Sequence, residues 1–206
     1  MKKFKHYKNI TKYKSGAGFT LIELMVSISI VSVIMTVVLF TYSSFNDSLA
    51  LSAAGQEVAS AVRQAQTYGL SVKEFSVGSE QFTSGYGIYF DPVSDPTNYY
   101  IFVDINGNKK YDSGGGCGVV GTECVETGTL RNNVNVSSVC DASSCPPSGA
   151  RSLHVTFLRP NPDAVINFVN DAGTTIGALT GKITLKSAKG IELKVTVEST
   201  GQISVQ

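Results

Sequence analysis

Residues Gly18 to Val26 read G-F-T-L-I-E-L-M-V, and they open an apolar segment that continues to Phe40. Phe19 to Phe40 is 22 residues long and carries one charge, Glu23. Roughly 20 such residues cross a bilayer as a helix. Ser27, Ser29, Ser32 and Thr36 fit that reading, because a hydroxyl on a helix bonds the carbonyl one turn back. A carboxylate at membrane depth costs about 2.5–3.5 kcal/mol on insertion scales, and such residues usually pair or mark function. Glu23 is therefore the residue that demands a reason.

Upstream, residues 1–18 hold six lysines (Lys2, Lys3, Lys5, Lys8, Lys12 and Lys14), no acid and no apolar core of their own. A secretory signal runs from basic residues through an apolar stretch to a cleavage site. Here the small-residue site, Gly16-Ala17-Gly18, precedes the apolar stretch. Cutting there removes only the leader and keeps the helix. The lysines hold the leader in the cytoplasm by the positive-inside rule, which places the rest of the chain on the exported side. Cleavage after Gly18 would give Phe19 a new amino terminus, one helical turn from Glu23, as a natural counter-charge.

The stretch Gly18-Phe19-Thr20-Leu21-Ile22-Glu23-Leu24 resembles the class III signal of type IV prepilins and type II secretion pseudopilins. The resemblance implies cleavage by a prepilin peptidase between Gly18 and Phe19, and methylation of the new N-terminal Phe19. It also implies that Glu23, the fifth mature residue, pairs with the N-terminus of an adjacent subunit during filament assembly. The implied partners are other pilin or pseudopilin subunits, the peptidase and an inner-membrane assembly platform. One departure is the lack of a helix-kinking proline between Phe19 and Leu70. Proline is a principal cause of kinks, so little kinking is expected.

Removing the leader changes the charge. The chain has 17 basic and 16 acidic residues; without the six leader lysines, 11 basic residues face 16 acidic ones, a net −5. Such a mildly acidic chain has no global attraction for nucleic acid or anionic lipid. The length beyond the membrane segment suits one domain. Twenty glycines and no tryptophan suit a turn-rich β domain.

The helix is expected to continue past the membrane edge. Leu49, Leu51, Ala54, Val58, Ala61, Val62, Ala65 and Tyr68 recur at three- and four-residue spacing, with Gln56, Glu57, Arg63 and Gln64 off that stripe. The outer half is thus amphipathic and made to pack on a globular domain. Asn46-Asp47-Ser48 is a place where it could loosen, and Gly69 a terminator. From Gly85 the chain reads as strands, among them Tyr86–Phe90, Asn98–Asp104, His154–Leu158 and Ala164–Val169. The clearest β signal is C-terminal. Ile183, Leu185, Ile191, Leu193, Val195, Val197, Ile203 and Val205 alternate with polar residues around turns at 187–190 and 199–201, a three-stranded meander with one apolar face. That face suits the amphipathic half of the helix. Residues 113–127 and 137–150, rich in Gly, Ser, Cys and Pro, read as loops, and Leu130 to Val136 between them alternates weakly.

The expected organisation is a cleaved leader (1–18), a transmembrane or filament-core half-helix (19–40), an amphipathic half-helix (41–70) and an exported β-rich domain (71–206) with a Gly/Cys-rich loop insert at 113–150. The fold class is α+β: a long N-terminal helix packed on an antiparallel sheet domain, the type IV pilin-like layout. Four weaker segments resemble the GspH/FimT branch of the pseudopilins. They are Ala-Val-Arg-Gln-Ala-Gln (61–66), Gly-Tyr-Gly-Ile-Tyr-Phe (85–90), Thr-Phe-Leu-Arg-Pro (156–160) and Gly-Gln-Ile-Ser-Val (201–205).

Cys117, Cys124, Cys140 and Cys145 fall on the exported side, where an even number of cysteines favours disulfides. Of three connectivities, the short loops favour Cys117–Cys124 and Cys140–Cys145. A zinc site is the rival, poorly served by these spacings and by the lack of clustered histidine.

Asp104, Asn106, Asn108 and Asp112 set oxygen side chains at alternating positions, with the carbonyl of Lys110 between the last two. An EF-hand loop opens with the same spacing, and hard Ca²⁺ takes six to eight oxygens. Two departures stand against calcium: glycine is at loop position 4 instead of 6, and Gly115 occupies position 12, where a bidentate glutamate belongs. The alternative is a β-hairpin with Asn106-Gly107 in a type I′ turn and no metal.

His154 alternates with Val155 and Phe157 and reads as an outward strand residue. His6 lies in the leader. No phosphate loop, nucleophile motif or triad stands out, so an enzyme is not expected. Lys182, Lys186, Lys189 and Lys194 gather in the C-terminal meander, where a basic patch could meet DNA phosphates. Glu192 and Glu198 share the region, and a solvated face that discourages edge pairing accounts for the lysines equally. The expected role is a structural pilin or pseudopilin subunit, held as a single-pass protein in the cytoplasmic membrane and then carried into a pilus or pseudopilus. A DNA-binding minor pilin and a membrane-anchored adhesin-like β domain are the alternatives.

Overall fold

The computed structural model describes residues 18–71 and 84–206. The leader lysines and His6 lie outside the described residues. Among the described residues one α-helix, α1 (Leu21–Leu70), and one 3-10 turn (Pro147–Gly149) accompany ten strands: β1 (Gly85–Asp91), β2 (Asp95–Asp104), β3 (Cys124–Thr129), β4 (Asn135–Cys140), β5 (Ala150–Phe157), β6 (Ala164–Asn170), β7 (Thr175–Ala178), β8 (Thr180–Lys186), β9 (Glu192–Glu198) and β10 (Ile203–Val205). The chain divides into two compact units between Tyr42 and Ser43.

In the first unit every residue from Gly18 to Phe40 is exposed. By length and composition this helix is long and apolar enough to cross a membrane. Ser27, Ser29 and Thr36 donate to the carbonyls of Glu23, Met25 and Ser32, four residues back, so their hydroxyls are satisfied without water.

The second unit is the α+β body, in which the outer half of α1 packs on two antiparallel sheets. One sheet has six strands in the order β3-β2-β1-β5-β6-β7, the other four in the order β10-β9-β8-β4. Leu51, Ala54, Val58, Ala61, Val62 and Ala65 form the buried stripe, and they share one core with Ile88, Phe90, Leu153, Phe157, Val195 and Val197. Leu49 differs from expectation: it is exposed, so the stripe begins at Leu51. Asn46-Asp47-Ser48 stays inside the helix.

Small residues let the helix come close. A Cβ on Gly55 would lie 2.6 Å from the Leu193 side chain, and one on Gly69 would lie 2.6 Å from the Phe157 carbonyl oxygen. Gly69 sits inside the last turn of α1, which ends at Leu70. Its need is contact with β5 more than helix termination. Polar clasps flank the seam: Tyr99 donates to Glu57 (3.2 Å), Gln64 to Glu126 (2.9 Å), and Gln66 to the carbonyls of Pro162 (3.2 Å) and Gly201 (3.3 Å).

The C-terminal meander follows the alternation except at Ile191, which precedes β9 in the turn and is exposed. Ile183 pairs with Val195 and Leu185 with Leu193 across β8 and β9, and β10 closes on β9 through Ile203–Val197. Gly190 and Gly201, both with φ +82°, make the turns, a conformation that costs other residues a Cβ clash.

The stretch 113–150 differs from the loop reading, since it contains β3 and β4. β3 is an edge strand whose side chains are mostly open to solvent, so it lacks an apolar repeat. β4 has a register shift between Val136 and Ser138 where it pairs with β8. The shift lets Val136 and Val139 both face the core at a spacing of three, which hides the strand from a period-two reading. The short strand β7 was likewise absent from the sequence reading.

Gly69 supplies a test of the helix–sheet seam. Gly69→Ala gains helix propensity of about 1 kcal/mol but drives a methyl into backbone, which cannot rotate away. Net destabilisation of about 1–3 kcal/mol is expected, read as a lowered midpoint in denaturant unfolding of the detergent-solubilised chain. A stabilised variant would mean the seam is looser than described.

Candidate functional sites

Two places hold the sequence-derived candidates. The first is the start of α1. Thr20 Oγ1 accepts the Glu23 N–H at 3.3 Å, and the Leu24 N–H reaches the Thr20 carbonyl at 3.2 Å. Thr20 is thus the helix N-cap, and Glu23 stands three residues on, the pattern of a capping box. An acid in the first turn also faces the positive end of the helix dipole. Gly18, Phe19 and Glu23 are all exposed. The local sequence T-L-I-E (20–23) carries this cap signature beside the membrane-length apolar run.

The second is the segment after β2. Strands β2 and β3 do pair antiparallel, yet residues 105–123 separate them. Asn106-Gly107 is not a type I′ turn: that turn needs two consecutive positive φ angles, and here Gly107 has one (+76°) whereas Asn106 does not. The segment folds back on itself instead. The side-chain amides of Asn106 and Asn108 both donate to one oxygen of Asp112, each at 2.7 Å. Asn106 accepts the Asn108 N–H (3.0 Å) and Asn108 the Lys110 N–H (2.7 Å). Asp104, buried at the end of β2, accepts the Lys109 N–H at 3.0 Å through Oδ2. Glu123, absent from the sequence reading, accepts the N–H groups of Ile105 (3.2 Å) and Asp112 (2.8 Å). It lies immediately before β3 and clamps both ends of the loop. Burial raises its pKa above the usual carboxylate range, its two backbone hydrogen bonds oppose that, and the charges of Asp112 and Asp104 add to it.

This loop covers the face of the six-stranded sheet that points away from α1. There Ser152, His154, Thr156 and Asn167 are buried although polar. The Lys109 carbonyl accepts from Thr156 (3.4 Å) and Asn167 (3.2 Å), and the Tyr111 N–H donates to His154 Nδ1 at 2.9 Å. His154 is therefore not an exposed outward residue. Its alternation does point it off the main core, but the loop closes over it. With Nδ1 accepting, Nε2 carries the proton and donates to Ser152 Oγ, 3.2 Å away. Tyr89, Phe102 and Tyr111 surround the ring. Burial, aided by Lys110, lowers its pKa from 6.5 to about 4, against the pull of Asp112 and Asp91. Beside it, a cavity of about 310 Å³ is lined by Tyr89, Asp91, Tyr111, Arg151 and Asp171 among others. Within it Arg151 bridges Asp171 (3.0 Å) and Asp91 (3.5 Å), and Lys110 and Asp112 also line the cavity.

Disulfides join Cys117 to Cys124 and Cys140 to Cys145, with Cα separations of 4.4 and 4.3 Å. All four sulfurs are used, which removes the zinc reading. The first bridge closes beside Glu123 and so helps to hold it. Among the described residues no three His, Cys, Asp or Glu side chains converge as a metal cluster. The C-terminal lysines are partly neutralised: Lys186 lies 3.7 Å from Glu192 and Lys189 3.8 Å from Asp47, while Lys182 donates to the Ala142 carbonyl.

His154 makes stability depend on pH with a definite sign. The unfolded chain takes up a proton near pH 6.5, whereas the folded one resists until about pH 4. Stability is thus full above 6.5, falls as pH drops through that window, and levels off below it, a loss on the order of 3 kcal/mol. His154→Asn keeps an acceptor for Tyr111 and cannot titrate. Its melting temperature should fall less steeply from pH 6.5 to 4 than the parent's; parallel slopes would show that His154 is not buried neutral.

Comparison with known proteins fits the first of these sites. No curated protein and no solved structure matches the chain. Residues 14–39 match the prokaryotic N-terminal methylation motif, so the chain carries a class III signal segment of the kind typical of type IV pilins and pseudopilins, spanning Gly18, Phe19 and Glu23.

Proposed function

We propose that this chain is a structural subunit, a minor pilin or pseudopilin of the GspH/FimT branch, in a type IV pilus or type II secretion pseudopilus. A prepilin peptidase cuts between Gly18 and Phe19 and methylates Phe19. The Phe19–Phe40 segment holds the subunit in the cytoplasmic membrane and then moves into a filament core, and the β domain faces outward. The single observation that carries this reading is the methylation motif at 14–39, joined to an exposed apolar half-helix with one acid in its first turn. The role is one of assembly, not catalysis.

Glu23 has two jobs in this scheme, and they separate experimentally. In the helix cap it gives its backbone N–H to Thr20, and glutamine at the same place keeps the capping-box pattern without the charge. As an assembly handle it needs a negative charge to meet the amino terminus of Phe19, its own or a neighbour's. Before assembly the acid is costly in a bilayer; the pair offsets that cost.

Intact mass of the membrane-extracted protein should show loss of residues 1–18, one added methyl group and two disulfides. An uncut chain with its lysine leader would end the proposal. Glu23→Gln should leave membrane insertion and helix content unchanged but abolish incorporation into purified filaments, as should Glu23→Ala. Normal incorporation of Glu23→Gln would reduce Glu23 to a helix cap.

A further inference from the structure

The segment after β2 has a feature that its own hydrogen bonds leave unexplained. Asp104 is 3% exposed, and its Oδ1 has no hydrogen-bond partner. A buried carboxylate oxygen without a donor or counter-ion is expensive. Its other oxygen accepts the Lys109 N–H, so this carboxylate is turned to the loop. Asp112 and Glu123 join it there, tied to each other through the Asp112 N–H. The three carboxylates each bond a different part of the loop without meeting as a cluster, and none of them belongs to the salt bridges found among the described residues.

The neutral groups converge on the same place. Asn106 and Asn108 aim their amides at a single oxygen of Asp112. A half-turn of such an amide exchanges nitrogen for oxygen at nearly the same position. Such a turn gives up the N–H bonds that the Asn106 and Asn108 oxygens now accept, so a cation has to replace them as well as the two bonds to Asp112.

We propose that the Asp104–Asp112 loop binds a calcium ion, with Asp104, Asn106, Asn108 and Asp112 as side-chain ligands, the Lys110 carbonyl as a further oxygen, and Glu123 supplying the carboxylate that loop position 12 lacks. Gly115 stands at position 12, but Glu123 reaches the loop from the foot of β3, and the Cys117–Cys124 bridge shortens the path. The donor set is all oxygen, which excludes soft and imidazole-seeking metals. It mixes charged and amide oxygens in an irregular loop, which suits calcium better than magnesium, whose octahedron is strict and usually keeps several waters.

Binding would fasten the loop over Ser152, His154, Thr156 and Asn167. Calcium would therefore act as a clamp on the outward face of the β domain, whatever assembly the chain joins.

The test uses the full chain in detergent, after chelator treatment. Calcium chloride should raise the melting temperature by several degrees, EGTA should reverse the shift, and equal magnesium should produce little of it. Terbium, a calcium mimic, should show emission sensitised by tyrosine near the loop, quenched by competing calcium. Asp112→Asn, an exposed position, should weaken calcium binding about ten-fold or more, and Asp104→Asn should do the same if it folds. No calcium shift at millimolar concentration, an equal shift with magnesium, or undiminished affinity in Asp112→Asn would each overturn the site.

Discussion

The α+β body depends on how close the outer half of α1 can approach two sheets at once. Each sheet has an apolar face that neither can bury alone, and the stripe from Leu51 to Ala65 covers both within a single core. The stripe is built of alanine and valine more than leucine. Small side chains reduce the apolar area per residue but bring the helix backbone nearer the strands, where dispersion contacts are dense. Gly55 over Leu193 and Gly69 over the Phe157 carbonyl are the limits of that approach. The seam also sets the polar clasps, since Glu57, Gln64 and Gln66 sit where their reach ends on Tyr99, Glu126 and the Gly201 turn.

Covering one face of the six-stranded sheet leaves the other to be managed. That face carries Ser152, His154, Thr156 and Asn167, a row unsuited to a dry core. The 105–112 loop meets it with backbone groups: the Lys109 carbonyl takes two donors and the Tyr111 N–H takes the histidine. The loop gains partners for its own amides, and the sheet gains satisfied polar groups with aromatic rings between them. Packing of this kind is conditional on the loop's shape. Asp104 and Glu123 fix that shape at its two ends, which is why their charges matter beyond their immediate hydrogen bonds.

Legibility in the sequence followed the physical range of each signal. The membrane-length segment and the C-terminal meander were plain, because periodicity and composition within ten to twenty residues decide them. The amphipathic stripe was right in phase and one residue position too generous at Leu49. β4 was hidden because its bulge changes the repeat, and β3 because an edge strand needs no apolar face. His154 shows a different limit. Alternation reveals which side of a strand a residue takes, but not what lies over that side, and a loop from 43 positions away settled its burial. Glu123 escaped for the same reason: its partners are in another segment, and no local window connects them. Asn106-Gly107 misled in the opposite direction, since the dipeptide favours a tight turn that competing side-chain bonds to Asp112 override.

Glu23 illustrates why an apparently costly residue need not have a single explanation. At the third helical position its backbone N–H is capped by the Thr20 hydroxyl, a contribution on the order of 1 kcal/mol, and its carboxylate stands at the positive end of the helix dipole. Its insertion cost, about 2.5–3.5 kcal/mol if it lies deep in the bilayer, exceeds that. Near the interface the cost falls, and the cap alone could balance it; inside a filament, away from lipid headgroups and water, it could not. A charge that must leave the interface needs a partner that travels with it, and an amino terminus one turn away is the partner cleavage creates. On the proposed reading, the acid would be tolerable near the interface, where the first turn of the helix favours it, and would need the new amino terminus as counter-charge once buried in a filament.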